Sequence, residues 1–206
     1  MSDSPVLDTR VAAALERRQQ PLEALLAEAE PVARACHAMA ARFHRGGTLV
    51  VFGNGGGSTD AQHICVEFVH PVIVGKRALP ALSLTADVAT MTGIAARVGF
   101  AEVFAHQLRH LAGPDDIALG LSVDGHCANV LRGFEQAREL GMLTVALVGG
   151  DGGAVAASPA VDHVLRADSA DPRVVKEVHV TMYHVLWELV HVFFEHPGVL
   201  TPEVVS

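Results

Sequence analysis

Three groups of residues have the types and spacing to do chemistry. The first is Gly53-Asn-Gly-Gly-Gly57-Ser58, which comes after a short β-branched run at 48–52. Glycine lets backbone amides approach a ligand, so Asn54, Gly55, Gly56, Gly57 and Ser58 could cradle an anion at a helix start, or simply form a tight turn. The loop lacks the lysine of an ATP P-loop and the third glycine of a dinucleotide fingerprint. The second group is His63 with Glu67. Four residues apart, they share one helix face and set an imidazole beside a carboxylate. The third is Ser122-Val-Asp-Gly-His-Cys127. Asp124, His126 and Cys127 could form a nucleophilic set if they converged. Cys127 is either reactive at a helix start or a buried inert thiol.

These groups need elements to hold them. Apolar residues from Leu22 through Leu25, Leu26, Ala29, Val32, Ala33, Cys36 and Ala40 to Phe43 recur at helical steps, so residues 1–46 are expected to be helical. Pro21 suits a first helical turn, and Pro31 should kink or split the helix beyond it. So long a stripe needs a partner, which a second subunit could supply. Strands are expected at 48–52, 81–84, 116–121, 143–148 and 161–165. Helices are expected at 87–96, 101–111 and 128–140, and a long one from 173 to about 195, opened by Pro172. Strands alternating with helices predict an α/β fold with a parallel sheet. One domain over 1–206 is expected: a helical segment 1–46, a sheet core 47–170 and a C-terminal helix 171–196.

Composition narrows the class. Half of the 206 residues are hydrophobic and 18% are charged, which excludes disorder. Aromatics are only 5%, so Ala, Val and Leu must fill the core. A net charge of −8 argues against a nucleic-acid or anionic-membrane surface. No apolar run is long enough to span a bilayer, and the N-terminus lacks the apolar segment of a secretory signal. Three cysteines without a close pair suggest reduced thiols, and a cytoplasmic protein is expected. Of the 12 histidines, His179, His191 and His196 read as surface or interface residues.

The motif Gly53-Asn-Gly-Gly, with Asp60-Ala-Gln-His63 and Glu67, resembles the opening of phosphoheptose isomerases, which are SIS (sugar isomerase) domain proteins. The likeness continues through Val98-Gly-Phe100, Leu121-Ser122, Ala128-Asn-Val130, Gly150-Asp-Gly-Gly153 and Glu177-Val-His179 to His184. It implies a three-layer αβα sandwich with a parallel five-stranded sheet and long helices at both ends. It implies a homotetramer (or homodimer) joined through those helices, and a sugar phosphate as ligand. It further implies aldose–ketose isomerisation of sedoheptulose 7-phosphate or a related sugar phosphate through an enediol. Such a reaction needs a base near the reacting carbons and a group to polarise the carbonyl. By position, Glu67 and His184 match the family's acid/base pair. His63, Glu67 and His184 match three of its zinc ligands.

Several positions depart from the family pattern. Lys176 stands where a fourth ligand, glutamine, is expected, and a protonated lysine cannot ligate. Gly57 displaces the loop serine to Ser58. The second loop keeps only Ser122 and Gly125 of its usual hydroxyls and amides, and Asp124 sets a carboxylate where a phosphate belongs. Arg97 and Arg173 replace residues near the sugar, and either could receive an anion from a new direction. These changes leave open a non-catalytic sugar-phosphate sensor or an adaptor for a protein partner. The surplus histidines leave open a role in metalloenzyme maturation.

Overall fold

A computed structural model describes residues 5–200. Five strands form one all-parallel sheet: β1 (Leu49–Gly53), β2 (Ala81–Ser83), β3 (Ile117–Ser122), β4 (Leu143–Gly149) and β5 (His163–Ala167). Their spatial order is β2-β1-β3-β4-β5. Every residue of β1, β3 and β4 is buried. That is the signature of central parallel strands covered on both faces, and it explains why they read as unbroken Val/Leu/Ala runs.

Alternate side chains leave the sheet in opposite directions. Leu49, Val51, Leu119, Leu121, Val145 and Leu147 enter one core layer. That layer is closed by α2 (Ala29–His44), α3 (Gly56–Val69) and α8 (Pro172–Glu195). Val50, Phe52, Ala118, Ala146 and Val148 enter the other. It is closed by α4 (Val88–Arg97), α5 (Val103–Leu111), α6 (Ala128–Glu139) and the short α7 (Gly153–Ala156). The result is the expected three-layer sandwich.

The N-terminal stripe is divided. Helix α1 (Pro5–Ala24) is succeeded by a 3-10 turn at Leu25–Glu28 before α2 begins. The break therefore precedes Pro31 instead of occurring at it. Pro31 falls in the first turn of α2, where a missing amide costs nothing. Pro21 lies inside α1, one turn from its end, where it removes a helix hydrogen bond. Residues 1–4 lie outside the described residues. Only the α2 part of the stripe is buried, through Val32, Ala35, Cys36, Met39, Ala40 and Phe43, and it packs on α8 of the same chain. Leu22 and Leu26 are exposed. The last strand lies two residues beyond the expected 161–165. No helix among the described residues is long and apolar enough to cross a membrane.

Candidate functional site

Strands β1 and β3 are neighbours whose connections leave in opposite directions across the sheet. A crevice opens at such a switch point, beyond the carboxyl ends of the strands. Here a cavity of about 480 Å³ lies between the loop after β1 and the loop after β3. Asn54, Gly55, Gly56 and Gly57 line one side. Ser122, Asp124 and Cys127 line the other, and Lys176 and His179 of α8 close it. Asn54 and Asn129 join the two loops by a reciprocal amide pair at 2.7 and 2.8 Å.

Two helices start at this cavity without a side-chain cap, α3 after Gly55 and α6 after Cys127. Free helix N-termini carry partial positive charge and unpaired amides, so their convergence suits an anion. Gly55 has φ +53°, the left-handed region that glycine tolerates.

The second loop is internally bonded. Ser122 Oγ accepts the Gly125 amide at 3.0 Å and lies 3.4 Å from Asp124 Oδ1. The same Oδ1 accepts the His126 amide at 3.0 Å. Gly125 has φ +71°, and a Cβ there would lie 1.8 Å from the Gly152 carbonyl oxygen. The loop is thus locked against the turn after β4. Asp124, His126 and Cys127 are near neighbours in one loop, with no hydrogen bond between the His126 and Cys127 side chains among the described residues.

Lys176 is a clamp. Its ammonium donates to Asp60 Oδ1 at 2.7 Å, the Gly56 carbonyl at 3.0 Å and Thr59 Oγ1 at 3.2 Å. All three N–H donors are used, and they fix the first turn of α3 against α8. Asp60 is only 5% exposed. A buried carboxylate needs such a partner. The lysine stem passes over Gly56, where a Cβ would meet it in ordinary contact at 3.5 Å.

His179 and His191 are buried, not surface residues. His191 bridges the Trp187 and Arg77 carbonyls at 2.8 and 3.0 Å. His179 is 3% exposed and bonds the Val148 backbone, and its Nε2 has no partner among the described residues. Burial, aided by Lys176, holds His179 below its ordinary pKa, against weaker opposing effects from Val148 and Asp60.

A second group lies further along the same two helices. One ligand atom each from His63, Glu67 and His184 falls within 4.8 Å of the others. His63 Nε2 is 3.2 Å from Glu67 Oε1, and His63 Nδ1 is 2.8 Å from the Tyr183 hydroxyl. Trp187 Nε1 donates to the Glu67 carbonyl at 2.9 Å, fixing that turn of α3. Burial and the nearby Asp60 and Glu67 carboxylates push the Tyr183 phenol up, so it stays protonated. Two nitrogens and one carboxylate are donors that zinc accepts, and three protein ligands leave a position open. The Tyr183 contact would orient His63 from behind, as ligating histidines require. The donor set therefore fits zinc.

The remaining expected ligand residues are placed differently. Ser58 and Gly125 do not line the cavity, and the Gly125 amide is taken by Ser122. Arg97 ends α4 and lines a separate shallow recess with His106. Arg173 does border the cavity, but Asp171 engages it through two bonds at 2.9 and 2.7 Å. Arg173 in turn holds the Asp171 carboxyl well below the usual carboxylate range. Lys176 joins Asp60 and not the His63 group. Asp60, Asn129 and His179 stand in the motifs that carry the resemblance but were assigned no site role, and His179 was expected at the surface or an interface. Asp60 was detectable, because it lies one helical turn before His63.

Comparison with known proteins agrees with this arrangement. The profile described as SIS domain matches residues 14–149. A phosphoheptose isomerase of Solidesulfovibrio magneticus is 42% identical over 168 residues, covering 81% of each chain. The solved phosphoheptose isomerase of Neisseria gonorrhoeae superposes with a TM-score of 0.82 at 30% identity, covering 89% of this chain and 98% of that one. That of Francisella tularensis gives a TM-score of 0.83 at 31% identity, covering 92% of this chain and 100% of that one. The chain belongs to the SIS-domain proteins and, within them, to the phosphoheptose isomerase family.

Proposed function

We propose that this protein is an aldose–ketose isomerase of sedoheptulose 7-phosphate or a closely related sugar phosphate. The observation that carries the reading is the shared use of α3. Its N-terminus opens on the switch-point cavity, and its later turns carry His63 and Glu67. Gly57 and His63 are six residues apart, about 9 Å of helix rise. A ligand with an anion at one end and a carbonyl at the other, in open-chain form, suits such a separation.

In this reading the phosphate lies at the α3 and α6 N-termini, and the reacting carbons lie by Glu67 and His184. Glu67 removes the proton from C1 of the ketose, and the electron pair forms the C1–C2 double bond of the enediol. The C2 oxygen takes a proton in the same step. Glu67 then returns its proton to C2 while the C1 hydroxyl loses its own and becomes the aldehyde. His184 moves the proton between the two oxygens. Glu67 has the lower side-chain exposure, 14%, which excludes water from the carbon proton while it is held. His63, Glu67 and His184 would hold zinc, which when bound polarises a substrate oxygen.

Assembly into a homotetramer is part of the proposal. It is supported by exposed Val66 and Val69 in the last turns of α3 and Val72, Ile73 and Val74 just after it, a run of apolar side chains that another surface would cover. Three free cysteines support a cytoplasmic setting. Incubation with sedoheptulose 7-phosphate, and then separation of ketose and aldose phosphates, tests the reaction. An aldose product supports it, and no turnover on a panel of ketose phosphates refutes it. Elemental analysis of the purified protein tests for zinc.

A further inference from the structure

We infer that Asp124 makes this site a receptor for the singly protonated phosphate of its substrate, with the phosphate hydroxyl donating to the Asp124 carboxylate. The inference rests on the sugar-phosphate reading above and concerns how the phosphate is recognised. Asp124 lines the cavity between the two uncapped helix starts. Its Oδ1 is committed, to the His126 amide at 3.0 Å and to Ser122 Oγ at 3.4 Å. Its Oδ2 accepts no hydrogen bond among the described residues. A carboxylate so placed repels a dianion and, lacking a proton, can only accept.

A phosphate monoester has a second pKa of about 6, so near neutrality it exists both as dianion and as a monoanion with one P–OH. The monoanion converts the repulsion into an O–H···O⁻ hydrogen bond, among the strongest kinds available. Its remaining oxygens are still acceptors for the helix amides. The neighbouring charges do not remove this preference. Lys176 is tied to Asp60, and Arg173 to Asp171. Burial keeps His179 below its ordinary pKa. Beside the loop are His126 and Cys127, and across it Asp151, whose carboxylate accepts the Gly153 amide at 3.0 Å. Only His126 among these could add a positive charge, and it is exposed.

A sulfate monoester provides the discriminating probe. It has the shape of a phosphate monoester but carries no proton in the neutral range. Calorimetric titration would compare methyl phosphate and methyl sulfate on the wild-type protein and on Asp124→Asn and Asp124→Ser. Asparagine keeps an oxygen for the loop bonds and can donate to either anion. The wild type should bind methyl phosphate at least about tenfold more tightly than methyl sulfate, the worth of one hydrogen bond to a charged group. Its methyl phosphate affinity should rise as pH is lowered from about 8 to about 6. In both variants the preference should shrink to within about threefold, chiefly because methyl sulfate binds better. The inference is overturned if the wild type binds both anions alike, if the variants keep the wild-type ratio, or if neither anion binds any of the proteins. Turnover is scored separately. A wild type that discriminates the anions yet isomerises no sugar phosphate refutes the isomerase reading and leaves the Asp124 assignment standing. Turnover without discrimination does the reverse.

Discussion

Replacing Lys176 by methionine keeps an unbranched side chain one atom shorter and removes the charge and three donors. Asp60 Oδ1 loses its partner at 2.7 Å, and the Gly56 carbonyl and Thr59 hydroxyl lose theirs. Removing one member of a fully buried ion pair costs about 3–5 kcal/mol. The Lys176 side chain is 43% exposed while that of Asp60 is 7% exposed, so water would reach part of the vacated site. A discounted loss of about 2 kcal/mol is expected. For a chain of this size that lowers Tm by about 4–8 °C. Differential scanning calorimetry measures it. The double variant Lys176→Met, Asp60→Asn should recover about half of the loss, because the stranded charge is gone. A single variant as stable as the wild type, or a double variant showing the plain sum of both losses, would refute the clamp.

Other outcomes depend on the same geometry. Gly125→Ala should lower stability by about 3 kcal/mol or more, since it combines a left-handed φ with a backbone collision; chemical denaturation tests this. Burial pushes the Cys36 and Cys65 thiols up to about 12, so at mildly alkaline pH neither should react with iodoacetamide. Cys127, partly exposed at the cavity, should be labelled first and be protected by a sugar phosphate, as peptide mass spectrometry would reveal. His179 titrates below its ordinary value when folded, so its contribution is complete above about pH 6.5 and is lost as pH falls through the depressed value. His179→Gln should therefore flatten the acid side of a Tm-against-pH curve, and an unchanged curve would contradict its neutral burial.

Much of the fold was legible because its signals are local. The apolar runs of β1, β3 and β4 and the glycines after them mark buried strands entering helices. The break before α2 was not legible. Pro31 is the stronger breaker by residue type, yet it falls in a first turn, and Leu25–Glu28 carries no breaker at all. Within the site, the glycine loop, Ser122 and the His63–Glu67 face were readable from spacing. The Lys176–Asp60 bond joins residues 116 apart, and only the packing of α8 on α3 creates it. The burial of His179 and His191 was hidden for a different reason. Both sit at three- and four-residue steps among Val175, Met182, Tyr183, Leu186, Trp187 and Val190 on the buried face of α8, but an imidazole reads by type as a surface group, and that reading outweighs the periodicity. Asp124 was visible as a charge, but its bond to the His126 amide depends on the loop conformation that Gly125 permits.

The central claim is that Glu67 moves a carbon-bound proton of a sugar phosphate. Incubating the protein with sedoheptulose 7-phosphate in D2O and monitoring the substrate by proton NMR tests this most directly. The wild type should exchange deuterium into the carbon beside the carbonyl as the aldose forms. Glu67→Gln, folded as judged by an unchanged Tm, should show neither exchange nor product. Exchange that persists in Glu67→Gln, or no exchange by the wild type, would contradict the account.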